Sequence, residues 1–199
     1  MKADNKDFTS ENTELEQLDA IGRVAWAWDR FGEDLVVSTS FGLQSAVMLH
    51  LVSKVNKEIP IIFVDTGYLF PETYQYAETL CEKLGIRPKT FSSGLSQTYQ
   101  EIRFGKLWEQ GAEGMERYNL MNKVEPMQRA LKEVNAKGWL SGLRRGQSKS
   151  RADRTYVETQ NGTVKIYPIL DWDERSTYEY LPANNLPYHP LEGQGYDSL

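Results

Sequence analysis

The residues best suited to chemistry lie in one short stretch, Ser38-Thr39-Ser40-Phe41-Gly42-Leu43-Gln44-Ser45. The β-branched run Leu35-Val36-Val37 precedes it, and an apolar run at 46–52 with helical character follows it. A turn between a strand and a helix gathers backbone N–H groups around one point, and such a point binds anions, phosphate above all. Three serine hydroxyls add donors, and Gly42 allows close approach to the backbone. The stretch lacks the Gly-Lys-Ser/Thr ending of a Walker loop, and on its own it fits a plain tight turn equally well.

A second stretch concentrates positive charge in a chain whose net charge is −5. It reads Ser141-Gly142-Leu143-Arg144-Arg145-Gly146-Gln147-Ser148-Lys149-Ser150-Arg151, with four cations in its last eight residues. Arginine suits bidentate binding of planar or tetrahedral anions. A solvated basic loop is the alternative interpretation. Because the stretch directly follows a short apolar run and is rich in Gly and Ser, we expect an anion clamp.

Two further positions carry candidate binding groups. Asp65 and Thr66 follow the apolar run 59–64, where a carboxylate serves ribose hydroxyls, a metal ion, or the cap of the next helix. Lys123 stands just ahead of a predicted helix, where its cation opposes the helix dipole. That placement favours a ligand-binding role for Lys123, with Glu125 balancing its charge.

The elements that must position these residues alternate between strand and helix. Apolar spacing predicts strands at 35–39, 59–64, 86–91, 139–142 and 164–170, and helices at 14–30, 43–55, 71–84, 97–111, 124–135 and 173–181. We expect residues 1–12 to be mobile and 184–199 to form a loop. The alternation predicts an α/β fold with a mostly parallel, twisted sheet and helices on both faces. In such sheets ligands bind beyond the C-terminal ends of the strands, where the candidate residues fall.

Length and composition limit the class of protein. The 199 residues, 40% hydrophobic and 26% charged, are typical of a single soluble domain spanning 1–199. No run approaches the roughly 20 apolar residues of a membrane span, and the first seven residues lack a secretory h-region, so we expect a cytoplasmic protein without membrane contact. The negative charge argues against nucleic-acid binding. One cysteine, Cys81, and two histidines argue against a disulfide, a zinc site or a cysteine-ligated cluster.

Taken together, the motifs resemble the phosphoadenylyl-sulfate (PAPS) reductase family of assimilatory sulfate reduction. That family has a pyrophosphate-loop (PP-loop) fold, also described as adenine nucleotide alpha-hydrolase-like. The resemblance rests on 38–45, 64–74, 118–127 and 139–151, is extended by 167–172 and 186–191, and runs from about residue 15 to residue 199.

The resemblance implies reduction of PAPS to sulfite and adenosine 3′,5′-bisphosphate, with thioredoxin or glutaredoxin as electron donor. It implies that Ser38, Ser40, Gly42 and Ser45 cradle the sulfate–phosphate end, that Asp65 and Thr66 lie near the adenosine, and that Lys123, Arg144, Arg145 and Arg151 face the anionic groups. Thr39, Phe41, Gly142, Gln147 and Ser148 complete the expected substrate-binding set. A homodimer is also suggested. The helix with Trp26 and Trp28 is one possible surface, although core packing is the preferred interpretation of these tryptophans.

Two comparisons with the family pattern refine these expectations. An iron–sulfur branch, usually acting on adenylyl sulfate (APS), has a Cys-Cys pair where this chain has Tyr118-Asn119, so no iron–sulfur cluster and no other cofactor is expected. No single residue establishes a preference for PAPS over APS. The family's nucleophile is the cysteine of a Glu-Cys-Gly-x-His motif in a tail following a segment that matches 195–199, and these 199 residues do not contain that motif.

Cys81 is expected to be a core or half-buried thiol rather than a substitute nucleophile. We therefore expect the 199-residue polypeptide to bind the nucleotide without turning over. Two alternatives stay open. One is a catalytically inactive nucleotide-binding or regulatory homologue. The other is an adenylating enzyme of the PP-loop type that uses ATP and magnesium.

Overall fold

The computed structural model describes residues 7–195, apart from the side chain of Ser150. The strands are Leu35–Thr39 (β1), Ile61–Asp65 (β2), Lys89–Ser92 (β3), Gly138–Leu140 (β4), Val157–Gln160 (β5) and Thr163–Ile166 (β6). The α-helices are Thr9–Glu16 (α1), Ala20–Phe31 (α2), Ser45–Val55 (α3), Pro71–Leu84 (α4), Gln97–Phe104 (α5), Gly111–Asn119 (α6), Glu125–Glu133 (α7) and Glu174–Ala183 (α8). A π-helical turn, Leu120–Val124, joins α6 to α7.

The six strands form one sheet in the order β3-β2-β1-β4-β6-β5. Strand β1 lies centrally, with Val37 aligned to Ile61 of β2 and to Leu140 of β4. All neighbouring strands are parallel except β5 and β6, which form an antiparallel hairpin. The predicted fold class, a mostly parallel sheet with helices on both faces, is confirmed.

The two faces of the sheet pack against separate cores because successive strand residues point in opposite directions. The larger core contains Val37 and Leu140 and is closed by α2, α3 and α8. The smaller core contains Val36 and Trp139 and is covered by α7. Helix α3 is buried along 46–52, as expected for a helix that is apolar on nearly all sides.

The N-terminal prediction was wrong in two respects. The helix expected at 14–30 is two helices, because Asp19 accepts a hydrogen bond from the Gly22 N–H at 2.7 Å and caps α2. Within 7–12, the segment expected to be mobile is ordered. Phe8 is buried, and Asn12 hydrogen-bonds both backbone groups of Val157. Residues 1–6 lie outside the described part of the chain.

The segment from 97 to 135 also differs from the prediction. Helix α5 ends at Phe104, because Gly105 adopts a φ of +69°. Helix α6 was not predicted. It continues through the π-helical turn into α7, so Lys123 lies within a continuous helical segment and not at a free helix N-terminus. Glu125 pairs with Arg129 rather than with Lys123.

The strands and the remaining helices need smaller corrections. Strand β5 was missed, although Asn161-Gly162, with φ values of 52° and 83°, forms the hairpin turn to β6. Strand β6 ends at Ile166, short of the predicted 170. Of the predicted C-terminal loop, 184–195 lies after α8 and carries turns, and 196–199 lie outside the described residues.

Three single-residue expectations concern packing. Trp26 and Trp28 are half-buried and pack against the larger core, which confirms core packing. The Trp26 indole also donates to the Glu14 carboxylate at 3.0 Å. Cys81 is half-buried on α4, as expected.

None of the helices formed by residues 7–195 is long and apolar enough to cross a membrane.

Candidate functional site

A cleft opens where the loops after β1 and β4 leave the centre of the sheet. The chain continues to β2 and β3 on one side of β1 and reaches β4 on the other, so this is the point where the strand order reverses. The cleft has a volume of about 1590 Å³ and is lined by residues from both loops, from the loop after β2, and from α6 and α7.

The β1 loop forms the first wall of the cleft and is anchored in the core by Phe41. This side chain is fully buried and meets Phe63 edge-on, with ring centroids 4.9 Å apart. The Phe41 backbone has a φ of +51°, which is uncommon for a bulky residue, and its N–H donates to the Thr39 hydroxyl at 3.0 Å. Gln44, at the N-cap of α3, makes no side-chain cap. The loop thus presents hydroxyl and amide donors from a fixed backbone.

The β4 loop forms the second wall, and Arg144 joins it to the first. The Arg144 guanidinium donates to the side-chain oxygen of Gln44 across the cleft. Burial lowers the pKa of Arg144, and the carboxylates of Glu174 and Asp173 oppose that change. Arginine remains a cation throughout. The β4 loop also lies close to α3 at Gly142, because a Cβ there would lie 2.9 Å from Met48 Cγ.

Gln147 organises the cations within the β4 loop. Its side-chain oxygen accepts from the Arg144 backbone N–H at 3.2 Å and from the Arg151 guanidinium. One amide therefore fixes the position of both arginines that line the cleft.

The remaining walls are aromatic and helical. Tyr68 and Tyr118 line the cleft and pack edge-on, with centroids 5.7 Å apart. Lys123 is exposed on the π-helical turn, its ammonium 5.9 Å from the Tyr118 ring. Reciprocal hydrogen bonds between Gln100 and Asn122, 2.9 and 3.0 Å long, hold that turn against α5.

The structure brings most of the predicted substrate-binding residues to the cleft. Ser40 and Arg144, from opposite walls, share the same cavity. The predicted residues on its wall are Ser38, Thr39, Ser40, Gly42, Ser45, Thr66, Lys123, Gly142, Arg144, Gln147 and Arg151.

Four predicted residues, Phe41, Asp65, Arg145 and Ser148, are not among the residues that line the cleft. The Asp65 carboxylate accepts from the Gly67 N–H at 2.8 Å and from the Tyr74 hydroxyl at 2.7 Å, so it shapes the turn after β2. Arg145 donates to the Arg154 carbonyl at 3.0 Å and lies over Tyr156. These contacts stabilise the walls from outside the cleft.

Several cleft residues were missed from the sequence. Gln44 was quoted only as part of its loop, and Trp139 only as part of a strand. Lys165 was given no role, yet its ammonium lies 3.7 Å from the Trp139 ring centroid. The signal available was strand position: Trp139 and Lys165 are aligned neighbours on β4 and β6, so their side chains share one face.

The sequence offers Asp65 as one candidate metal ligand. Within the part of the chain that the structure describes, no three His, Cys, Asp or Glu side chains converge as metal ligands. Cys81 is not among the lining residues, and burial, with a smaller contribution from Glu78, raises the pKa of its thiol.

The architecture matches solved structures of nucleotide enzymes. FMN adenylyltransferase of Candida glabrata in complex with ATP aligns with a TM-score of 0.59 and 14% identity, covering 94% of this chain and 66% of that one. NMN synthetase of Francisella tularensis aligns with a TM-score of 0.58 and 18% identity, covering 91% and 73%. At such low identity the likeness concerns the fold alone. It shows that this chain shares the α/β fold class of these enzymes, a mostly parallel sheet with helices on both faces.

Sequence relatives define the family within that class. The phosphoadenosine phosphosulfate reductase domain model matches residues 34–199. The chain is 54% identical over 188 residues to phosphoadenosine 5′-phosphosulfate reductase of Klebsiella pneumoniae, covering 94% of this chain and 77% of that protein. The crystal structure of PAPS reductase from Candida auris, a phosphate complex, aligns with a TM-score of 0.81 and 30% identity, covering 94% and 90%. The chain therefore belongs to the PAPS reductase family of oxidoreductases.

Proposed function

We propose that this chain is a single-domain PAPS reductase that holds its substrate in the cleft between the β1 and β4 loops. The observation that carries this proposal is the contact between Arg144 and Gln44, which joins the cationic wall to the hydroxyl-lined wall around one cavity. Relatives named as PAPS reductases support the substrate assignment.

The two walls suit the two chemical demands of a phosphosulfate. Its oxygens need many short-range donors, which Ser38, Ser40 and Ser45 supply together with the first turn of α3. Its leaving group is a phosphate that gains negative charge as the oxygen–sulfur bond breaks. Arg144 and Arg151 are placed to stabilise that charge, because both line the cleft as cations.

The chemical step transfers a sulfonate group to a thiolate. The thiolate sulfur forms a bond to the sulfur of PAPS, and the bridging oxygen leaves with its electron pair as part of adenosine 3′,5′-bisphosphate. A second thiol then attacks the S-sulfonate, releases sulfite and leaves a disulfide. Cys81 is a poor candidate for the first thiolate, since it lies outside the cleft wall and burial raises the pKa of its thiol. We assign that role to a cysteine not contained in these 199 residues.

The electron donor in this proposal is a dithiol protein of the thioredoxin or glutaredoxin class, in the cytoplasm. No iron–sulfur cluster takes part, because Tyr118 and Asn119 occupy the positions of the Cys-Cys pair of the cluster-binding branch. A homodimer remains part of the proposal, with a surface other than the core-packed Trp26 and Trp28.

Calorimetric titration tests the binding proposal. Adenosine 3′,5′-bisphosphate is titrated into the wild-type polypeptide, into Arg144→Gln, and into the control Arg175→Gln, whose side chain is 82% exposed and pairs with Glu179 on α8. We expect saturable binding by the wild type and by the control. Arg144→Gln should weaken binding about 100-fold, since a buried cation that lines the cleft is removed.

Two results would overturn the proposal. One is absence of saturable binding by the folded wild type. The other is equal affinity of the two arginine variants. Release of pyrophosphate from ATP and magnesium would instead support the adenylating alternative.

A further inference from the structure

Trp139 connects the sheet to the cleft through a directed hydrogen bond. Its indole Nε1–H lies 2.7 Å from the Ser38 hydroxyl oxygen. Strands β4 and β1 are parallel neighbours, and Trp139 is aligned with Val36, two residues before Ser38 on the same face. An indole N–H donates and has no acceptor atom. Ser38 is therefore the acceptor of this bond.

This bond determines which hydrogen-bonding capacity the Ser38 hydroxyl has left. A serine hydroxyl has one proton and two lone pairs, and the indole occupies one of the lone pairs. Among the residues that the structure describes, the Ser38 hydroxyl donates to no protein group. Ser38 lies on the wall of the cleft. Its proton is thus available to an anion in the cleft.

The Lys165 ammonium lies over the face of the Trp139 indole ring. The ammonium lies 3.7 Å from the Trp139 ring centroid and donates to the Gln160 side chain at 2.9 Å. Trp139 is only 8% exposed, so the ring has little freedom to turn. A cation on the face of an aromatic ring attracts its electron density, which makes the indole N–H a stronger donor to Ser38.

We propose that Trp139 is a positioning residue: its indole N–H, held beneath the Lys165 ammonium, fixes the Ser38 hydroxyl as a donor to the anionic group of the bound nucleotide. This inference rests on the proposed function, because it requires the nucleotide to bind in the same cleft. Ser40 provides the contrast. It lies on the same wall and is exposed, and the indole N–H donates to Ser38 and not to Ser40.

A double-mutant cycle in nucleotide affinity tests the inference. Trp139→Phe retains an aromatic ring and removes the N–H, and Ser38→Ala removes the hydroxyl. Each should weaken binding of adenosine 3′,5′-bisphosphate about tenfold, and the double variant should bind about as weakly as either single variant. In the matched cycle with Ser40→Ala, the effects should multiply. Lys165→Arg, which keeps the cation, should retain most of the affinity.

A residue that served the fold alone would give a different result. Trp139→Phe would then lower the midpoint of thermal unfolding. Its effect on nucleotide affinity would multiply with that of Ser38→Ala and, to the same extent, with that of Ser40→Ala. Equal coupling in the two cycles would overturn the inference. If the wild type bound no nucleotide at all, the proposed function itself would fail first, so the two failures are distinguishable.

A measurement on the unmutated tryptophan covers the case in which Trp139→Phe does not fold. The chain has five tryptophans, so the indole N–H region of a nitrogen–proton correlation spectrum is simple. One indole resonance should move in Ser38→Ala, and the same resonance should respond to nucleotide in the wild type but not in Ser38→Ala. An unchanged response in Ser38→Ala would contradict the inference.

Discussion

The two walls of the cleft hold their groups by different means. The β1 wall is built on the core: Phe41 is fully buried, and the residues that reach the cleft around it are uncharged. The β4 wall is built from polar contacts made by its arginine side chains. Its arginines are held by the Gln44 and Gln147 side chains, and Arg145 by the Arg154 carbonyl. One wall therefore owes its shape to packing, and the other owes its shape to hydrogen bonds that guanidinium groups donate to neutral amide and carbonyl oxygens.

The two walls contribute different things to binding: the β1 wall places donors accurately, and the β4 wall supplies positive charge. A wall anchored by packing positions donors accurately, because cores tolerate little displacement. A wall of guanidinium groups supplies attraction that acts over a longer distance and weakens with salt. A phosphosulfate needs both, since its oxygens must be placed and its leaving group must be neutralised. The first two predictions below each remove one of these contributions and leave the other.

The largest effect is expected at the anchor of the β1 wall. Phe41→Ala should lower the free energy of unfolding by about 3–5 kcal/mol, because it deletes a fully buried aromatic ring. Urea denaturation followed by circular dichroism measures this. The control is Ile102→Ala on α5, where the side chain is 77% exposed and a change within about 0.5 kcal/mol is expected. Similar losses for both variants would show that the β1 wall does not depend on the core.

The second effect concerns charge on the β4 wall. Arg151→Gln should weaken binding of adenosine 3′,5′-bisphosphate about tenfold and flatten its dependence on salt, because one cation facing the ligand is lost. Ser40→Ala should weaken binding about fivefold and leave the salt dependence unchanged, because only a neutral donor is lost. Titrations at three salt concentrations measure both. An equal change of slope in the two variants would remove the distinction between the walls.

The third effect is a pH dependence from Lys165. The pKa of this lysine is lowered to about 8, mainly by burial; the Glu158 carboxylate opposes the change, and Arg154 and Arg151 add smaller contributions that lower it. The Trp139 and Tyr167 rings also face its ammonium. As the pH rises from 7 to 9 the cation is lost, so nucleotide affinity should fall about threefold. The phosphates, with a second pKa of about 6, are already mostly ionised at pH 7 and only gain charge above it. Lys165→Met should abolish the dependence, and a slope that persists in Lys165→Met would assign it elsewhere.

The same lysine is expected to make the stability of the fold rise with pH, whereas it makes nucleotide affinity fall with pH. Its pKa is lowered in the folded chain, so between pH 8 and the ordinary lysine range the unfolded chain binds more protons than the folded chain. Stability contributed by this group therefore rises with pH across that window. Unfolding of the unliganded protein at pH 7 and 9, compared with Lys165→Met, measures the difference.

Elements that local sequence specifies were mostly predicted well, and elements that depend on long-range contacts were not. Strand β1 and helix α4 were predicted to the residue, because a buried β-branched run and an amphipathic run with a first-turn proline are local signals. The Asn161-Gly162 turn was also a local signal and was overlooked. Local sequence could not predict that the segment containing α1 is ordered. That segment is held by the contact between Asn12 and Val157, which lie 145 residues apart in the sequence.

Within the candidate site, residue type indicated position better than role. Serines and arginines in two loops after strands were expected at the cleft, and most lie there. Asp65 has the residue type of a ribose or metal ligand, but its carboxylate is engaged by Gly67 and Tyr74. Trp139 and Lys165 have residue types common in any core or surface. Their relation depends on the alignment of β4 with β6, which no short motif encodes.

The smallest effect is expected at Cys81, which belongs to neither wall. Cys81→Ser should leave the affinity for adenosine 3′,5′-bisphosphate unchanged, because the thiol packs against the larger core from α4 and is absent from the cleft wall. Burial raises the pKa of the thiol, so little thiolate forms at neutral pH. The 199-residue polypeptide, supplied with PAPS and reduced thioredoxin, should release no sulfite with or without Cys81. Sulfite release that disappeared in Cys81→Ser would make Cys81 the nucleophile, and the cleft between the β1 and β4 loops would then be the wrong site.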